Sequence, residues 1–497
     1  MDGDNLRDLK LIRKYIAETE KDYAYFKRTA QEGFDYYDNK DKIKRTGAAA
    51  IDEVNAYLKL IGANPLHSAD NRIPMNRHRI VIDQKIGYMF TVPPAFDISS
   101  DDHGTKNTDL LKKVNDIIGT QWAKVIKQLG LDASNTSRAW LAYWYDESGK
   151  FDYWFVNPLT VRPVYDCSTI KKKLQYLIRA YDFIDEKGNP AIRFEVWDDK
   201  EVAYLIKSET SKDNKATQID FEVKDGEYNI QPHRYGRIPF IEFRNNAHGT
   251  NDLIMYKDII DALDKLVSGF ANDVDDIQEI IWLIKNYSGD KYAPIYKSDG
   301  SIATDKDGNA LQRPVDRKQM IKAQKILDVG ADGDAKPIQA EIPYEARKTF
   351  RDILNDEFWV SAMAVNPNPD KIGNQSGIFI DYLFGQLEEK AGLMETEFRS
   401  SIDEFLKAIL HYLDADESEK FIQTWKRTKP QNNVEIADII SKTPDTVMSE
   451  ETKTRVHPLI KDTDSERKKI EKEQKRHEQN TLDLLEQPPP KNKDGGS

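Results

Sequence analysis

The chain of 497 residues carries one cysteine, Cys167. A lone thiol closes no internal disulfide and is too few for a zinc or iron–sulfur site built on cysteine, so a reducing compartment suits it. No uncharged run approaches the roughly 20 apolar residues of a membrane-spanning helix. The opening residues, MDGDNLRDLK, lack the basic and apolar regions of a secretion signal. The expectation is a soluble protein made inside a cell, with no membrane partner. Positive charge is in deficit, with 73 Lys and Arg against 85 Asp and Glu, a net of −12. Such a surface as a whole repels nucleic acid and anionic lipid, so any contact with DNA is local or transient.

Catalytic signatures are missing as well. There is no phosphate loop G-x-x-x-x-G-K-[ST], no G-x-G-x-x-G, no H-E-x-x-H and no G-x-S-x-G, which disfavours an NTPase, a zincin and an α/β-hydrolase. The eight histidines are scattered, none three or four positions from another, as a helical metal site requires. Asp305, Asp307, Asn309 and Asp316 mimic the spacing of a calcium loop. However, Ala310 stands where that loop needs glycine, and Asp316 where it needs glutamate. The expectation is a protein that is not an enzyme, with no catalytic residue, no metal and no cofactor.

What is present is enough apolar residue, 39%, for several cores, and at about 150 residues per domain the length suits two to four of them. Residues 1–61 read as charged helices, the last of them with Ile51, Val54, Tyr57 and Leu58 at helical spacing. From Trp140 to about Arg244 the pattern turns to short β segments at 151–158, 174–184, 191–198 and 202–207, with turn chemistry at 185–189. The fold class expected is α+β with an antiparallel sheet.

Leu253, Tyr256, Ile260, Leu263, Val267, Phe270, Val274, Ile277 and Ile281 then recur in steps of three and four, a heptad seam on a helix of about 30 residues. The opposite stripe carries Asp258, Asp261, Lys265, Ser268, Asn272, Asp275 and Glu279, and is expected to face water. Residues 286–340 read as a small hairpin module containing the basic run Arg313, Arg317, Lys318, Lys322 and Lys325. A second helix spans 344–365, and the Pro- and Gly-bearing segment 366–377 breaks it. From Ile378 one long helix carries the stripe Ile380, Phe384, Leu387, Ala391, Met394, Phe398, Ile402, Phe405, Ile409 and Tyr412, with a stutter after Met394 expected to bend or unwind it. A strand at 421–427 and short helices at 434–441 and 449–456 follow, before a charged tail ending in three prolines and Gly-Gly-Ser.

Several collinear segments resemble the portal proteins of tailed bacteriophages, of the type found in siphoviruses of Gram-positive hosts. They are NRIPMNRHRIVIDQKIGYMF (71–90), YWYDESGKFDYWFVNP (143–158), GRIPFIEFRNN (236–246), DLIMYKDIIDALDKLVS (252–268), IIWLIKNYSG (280–289) and AEIP (340–343). SAMAVNPNPDKIG (361–373), RTKPQNNVEIADII (427–440) and MSEETKTRVHPLIKD (448–462) extend the match, so it covers about 35–475. Residues 290–335 look longer than in those relatives, and GNQSG (373–377) replaces a more glycine-rich stretch.

The resemblance implies a ring of about twelve copies, a closed heterologous assembly, at one capsid vertex, through which DNA passes non-specifically during packaging and ejection. It implies a wing at 1–250, stem helices at 251–276 and 344–365, and a clip at 277–343. It further implies a tunnel loop at 366–377, a wing helix and strand at 378–426, a crown at 427–463 and a partly disordered tail at 464–497. Partners implied are the terminase, a head-completion adaptor, and the major capsid and scaffold proteins. The place implied is the virion, with host cytoplasm during assembly.

On that reading Asp258, Asp261, Asp275 and Glu279 face the channel, Asn366, Asn368, Lys371, Asn374 and Gln375 touch phosphate, and Arg313, Arg317, Lys318, Lys322 and Lys325 dock partners. The residues by themselves leave plainer alternatives open: an ordinary two-helix coiled coil, a connecting loop, a solvated helix face. For the whole chain the alternatives are a monomeric minor head or scaffold protein and, in a different class, a metal-dependent phage nuclease.

Overall fold

The computed structural model describes residues 6–45, 70–99, 107–166, 168, 170, 172–184, 188–208, 219–276, 281–285, 292–295, 301–305, 307–314, 334–338, 344–368, 377–428, 433–444, 446–449, 452–454, 460 and 466–476. Its helices are α1 (Leu9–Tyr37), α2 (Lys42–Arg45), α3 (Arg77–Phe90), α4 (Thr108–Ile118), α5 (Trp122–Thr136), α6 (Lys257–Asp276), α7 (Tyr344–Ser361), α8 (Gly377–Tyr412) and α9 (Asn433–Lys442). They combine with antiparallel sheets in a mixed α+β fold. The chain divides into two compact units, one of Met1–Phe34, Ile80–Ile254 and Trp359–Ser497, the other of Asp35–Arg79 and Met255–Phe358.

In the first unit, the strands Val161–Asp166, Lys173–Ile184, Pro190–Trp197 and Glu201–Ser208 pair in sequence order, with Ile230–Pro232 closing the far edge. The period-two rule explains the nearly continuous apolar run of the second strand. Tyr176 and Ile178 pack in one cluster with Leu6, Ile12 and Ile16 from the N-terminal segment and α1. Leu177, between them, packs in another with Trp140, Val161 and Phe240. Both faces are covered, so both sets of side chains are apolar.

A three-stranded sheet, with Arg138–Tyr145 between Phe151–Val156 and Phe240–Arg244, lies under α5 and α8. The stripe of α8 is its contact face: Leu387, Ala391, Met394, Phe398, Ile402, Phe405 and Ile409 are all buried. Phe405 stacks on Trp122 at 5.7 Å and meets Tyr153 edge-on at 4.8 Å. The helix runs through the stutter without interruption. Continuous burial on the sheet holds it helical where an isolated coiled coil would shift phase. The strand expected at 421–427 is Phe421–Thr424, paired with Ala95–Ile98.

The second unit contains α2, α6 and most of α7. Here the helix expected to run for four heptads is shorter. A 3-10 turn at Asp252–Met255 precedes it, α6 ends at Asp276, and Ile281 opens the strand Ile281–Lys285. The β-branched and aromatic run there pairs with Asp334–Ile338, a long-range partner that overrides helical spacing. The hairpin module is present, with Tyr292–Pro294 beside Gln312–Pro314 and a bridge from Thr304 to Ala310. At its tip, the Asp305 carboxylate accepts the backbone N–H of Asp307 and of Asn309, each at 2.9 Å. Asp305, Asp307 and Asn309 thus build a turn, and Asp316 lies outside the described residues.

The second long helix also stops early, at Ser361 instead of 365. Met363 sits at φ 49°, and the amides of Met363 and Ala364 turn back to the carbonyls of Val360 and Trp359. A left-handed residue just past the last turn closes a helix in this way. The helix expected near Ile51 to Leu58 lies outside the described residues, as does half of the one at 449–456, of which 452–454 are helical. The first of the short C-terminal helices is α9.

Candidate functional site

Within the second unit, α6 and the part of α7 it contains run antiparallel. Tyr256 lies 5.4 Å from Phe358 at one end and Phe270 lies 6.5 Å from Tyr344 at the other, while Arg347 pairs with Asp273. The heptad seam supplies this contact. Tyr256, Ile260 and Leu263 are fully buried, Val267 and Phe270 partly so, and Val274 is 44% exposed. On α7 the residues Phe350, Ile353 and Val360 lie on one helical face and are half or more exposed. Among the described residues, an apolar stripe is thus left exposed along this helix.

The stripe opposite the seam of α6 was expected to face water, and much of it does something else. An extended segment, residues 71–75, lies along it. The backbone N–H groups of Asn71, Ile73 and Met75 are accepted by Asn272 (2.5 Å), Ser268 (2.9 Å) and Asp264 (2.9 Å). The match is geometric. Four helical residues advance about 6.0 Å and two extended residues about 6.6 Å, so acceptors spaced i, i+4, i+8 meet alternate amides. Side chains here do the work of a β-ladder, pairing donors that would otherwise lack partners.

Asp264 also faces Asp41, which is 1% exposed. One carboxylate oxygen of each has no hydrogen-bond donor. Burial first, then the hydrogen bond and charge of Asp264, push Asp41 up to about 8. The two carboxyl groups accordingly share a proton at neutral pH, since two buried charges so placed cannot both ionise.

The residues singled out from the sequence are dispersed among these environments. Asp258 is exposed in the first turn of α6. Asp261 is half-buried, accepts the hydroxyl of Tyr36, and pairs with Lys257 at 3.3 Å. The side chain of Asp275 and all of Glu279 lie outside the described residues. Asn366 is half-buried and its side chain accepts the amide of Asn368 at 3.0 Å. Lys371, Asn374, Gln375, Arg317, Lys318, Lys322 and Lys325 lie outside the described residues. Arg313 falls in the strand Gln312–Pro314, and its side chain is not described. Among the described residues, no three of His, Cys, Asp and Glu come together as metal ligands do, and no helix is long and apolar enough to cross a membrane.

Sequence reasoning missed a buried charge cluster in the first unit. Lys85 of α3, Asp252 of the 3-10 turn and Lys390 of α8 are 1%, 3% and 4% exposed. Both ammonium groups reach Asp252, at 3.2 and 3.1 Å. Asn245 joins the cluster, accepting from Lys85 at 2.7 Å and donating to Asp252 at 2.8 Å. Burial alone would raise the Asp252 carboxyl, but Lys390 and Lys85 hold it well below the usual range. Burial drops Lys85 to about 8 despite its anionic partner. Lys390 also donates to the carbonyl of Ala362 at 2.9 Å, and the Gln84 amide grips Val365 twice, giving to its carbonyl and taking from its N–H, each at 2.9 Å.

Comparison with known proteins adds what geometry alone does not. The family described as "Phage portal protein, SPP1 Gp6-like" matches residues 16–480. The portal protein of Clostridium phage phiCD119 is 34% identical over 454 residues, 88% of this chain and 91% of the relative. That of Bacillus phage SPP1 is 26% identical over 436 residues, 84% of this chain and 79% of the relative. Members of this family are structural, non-enzymatic components of the virion with a role in DNA packaging, and their sequences align with nearly the whole of this one. The chain belongs to the phage portal proteins of the SPP1 Gp6-like family.

Proposed function

We propose that about twelve copies of the chain close into a ring, as a repeated heterologous contact does when its rotation divides the circle. The ring occupies one capsid vertex, and DNA enters and leaves through its centre. The observation that carries this reading is the stem pair, whose apolar residues Phe350, Ile353 and Val360 are left uncovered on one face of α7. A repeating neighbour covers such a stripe in every copy. In this arrangement 1–250 and 378–426 form the wing, 251–276 and 344–365 the stem, 277–343 the clip and 427–463 the crown, with 366–377 as a loop at the channel.

DNA passes without being read. A net charge of −12 disfavours adhesion to phosphate, so the duplex slides instead of binding. Asp258, with Asp261, Asp275 and Glu279, contributes to that negative lining. Asn366, Asn368, Lys371, Asn374 and Gln375 supply transient phosphate contacts that carry no base readout. The basic run from Arg313 to Lys325 is the docking surface for the terminase during packaging and for the head-completion adaptor afterwards, and capsid and scaffold proteins hold the ring in the shell.

Electron microscopy of the purified chain, alone and co-expressed with capsid proteins, tests the architecture. Class averages with a central hole and about twelvefold symmetry are expected; monomers under both conditions refute the ring. Deleting 370–376 should spare ring formation and impair packaging. Charge reversal at Arg317 and Lys322 should weaken terminase binding.

A further inference from the structure

We propose that Lys390 and Gln84 are positioning residues that pin the root of the 366–377 segment, so that the segment works against a fixed point while DNA passes. The proposal rests on the reading of the chain as a DNA conduit. Where α7 ends at Ser361, its last carbonyls lose their helical partners. Lys390 takes the carbonyl of Ala362 at 2.9 Å, and Gln84 takes both backbone groups of Val365 in a two-point grip at 2.9 Å. Ala362, Ala364 and Val365 are 0%, 9% and 5% exposed, whereas Pro367 and Asn368 are exposed. Burial therefore falls away within two residues of Val365.

The charge cluster makes this anchor stiff. Lys390 is not a lone side chain reaching for a carbonyl, because Asp252 holds it at 3.1 Å, and Lys85 and Asn245 hold Asp252. Two ammonium groups on one carboxylate leave an excess buried charge, which a core built only for stability would avoid. The contact of Lys390 with Ala362 gives the second lysine a role. Asp252 lies in the turn that precedes α6, and Ala362 follows directly on α7. One ammonium group of α8 thus ties Asp252 to Ala362 at the entry to the 366–377 segment.

Four variants test the proposal in a phage lacking its own copy of the gene. Gln84→Leu and Lys390→Met remove the grip on Val365 and Ala362. Lys85→Met breaks the same charge cluster without touching either. Deletion of 370–376 tests the conduit reading separately. The first two should form rings and lower the DNA protected within heads, and Gln84→Leu, which removes the acceptor of the Val365 N–H, should raise amide exchange there about tenfold, as loss of a strong hydrogen bond does. Lys390→Arg should restore packaging. Lys85→Met should lower the melting temperature and leave exchange at Val365 at the native rate. Native packaging in Gln84→Leu and Lys390→Met, with the deletion impaired, overturns the anchor. Native packaging in the deletion as well overturns the conduit role of the segment itself. Should Lys390→Met not fold, Gln84→Leu decides, because it lies outside the charge cluster.

Discussion

Ser268→Ala isolates one rung of the ladder between α6 and residues 71–75. Ser268 is 3% exposed and accepts the Ile73 amide at 2.9 Å. Alanine keeps the helix and nearly the volume, so the loss is that one acceptor. A buried amide left without a partner costs about 1–3 kcal/mol. Ile73 itself is 40% exposed, so water replaces part of the bond and the lower end applies, about 1 kcal/mol. That free energy corresponds to about a fivefold faster exchange of the Ile73 amide through local opening. Hydrogen exchange read residue by residue is the assay, with Asn71 and Met75 as internal controls, since Asn272 and Asp264 still hold them. The change should be largest at Ile73 and smaller at the flanking amides. Unchanged exchange at Ile73, or an equal rise at all amides of the unit, would refute the rung-by-rung pairing and mean that the segment is held by its apolar contacts instead.

Other outcomes follow from single contacts. Gly33→Ala drives a Cβ into the carbonyl oxygen of Asn135, a backbone atom that cannot step aside, so thermal melting should show a loss of about 3 kcal/mol or failure to fold; a native melt would disprove the close approach of α1 to the end of α5. Asp252→Asn strips two buried lysines of their counter-charge, and urea unfolding should register a loss of about 3–5 kcal/mol. The Asp41–Asp264 pair makes stability depend on pH. Asp41 stands above its unfolded value, so the stability its shared proton contributes is full below about pH 4 and is lost as pH rises toward about 8. Melts of Asp41→Asn should therefore gain on the native chain as pH rises across that window, with Asp261, Lys44 and Arg77 unchanged beside it; parallel profiles would show that no proton is shared.

Period and spacing carried much of the architecture. The nearly continuous apolar run around Leu177 marks a strand covered on both faces, and the stripe from Leu387 to Ile409 marks the buried side of α8, because these patterns record which side chains avoid water. Collinear segments with no catalytic motif among them were enough to place the chain with the portal proteins. The limits of that reading are physical too. An apolar residue at helical spacing is equally at home in a strand, so Ile281 joined the seam on paper while its partner strand, more than 50 residues on, draws it into a sheet.

Polar residues were harder still. A helix face of Ser268 and Asn272 reads as solvated, since spacing says nothing of what covers it; only the folded chain brings residues 71–75 across it. Lys85 reads as a surface lysine on α3, and becomes a buried ion because Asp252, 167 positions away, lies beside it. Sequence by itself determined the fold class, the long helices and the family, all of which rest on local apolar pattern or collinear identity. Tertiary structure alone decided where the helices stop, which polar groups are buried and what grips the root of the 366–377 segment, because each depends on a partner distant in the chain.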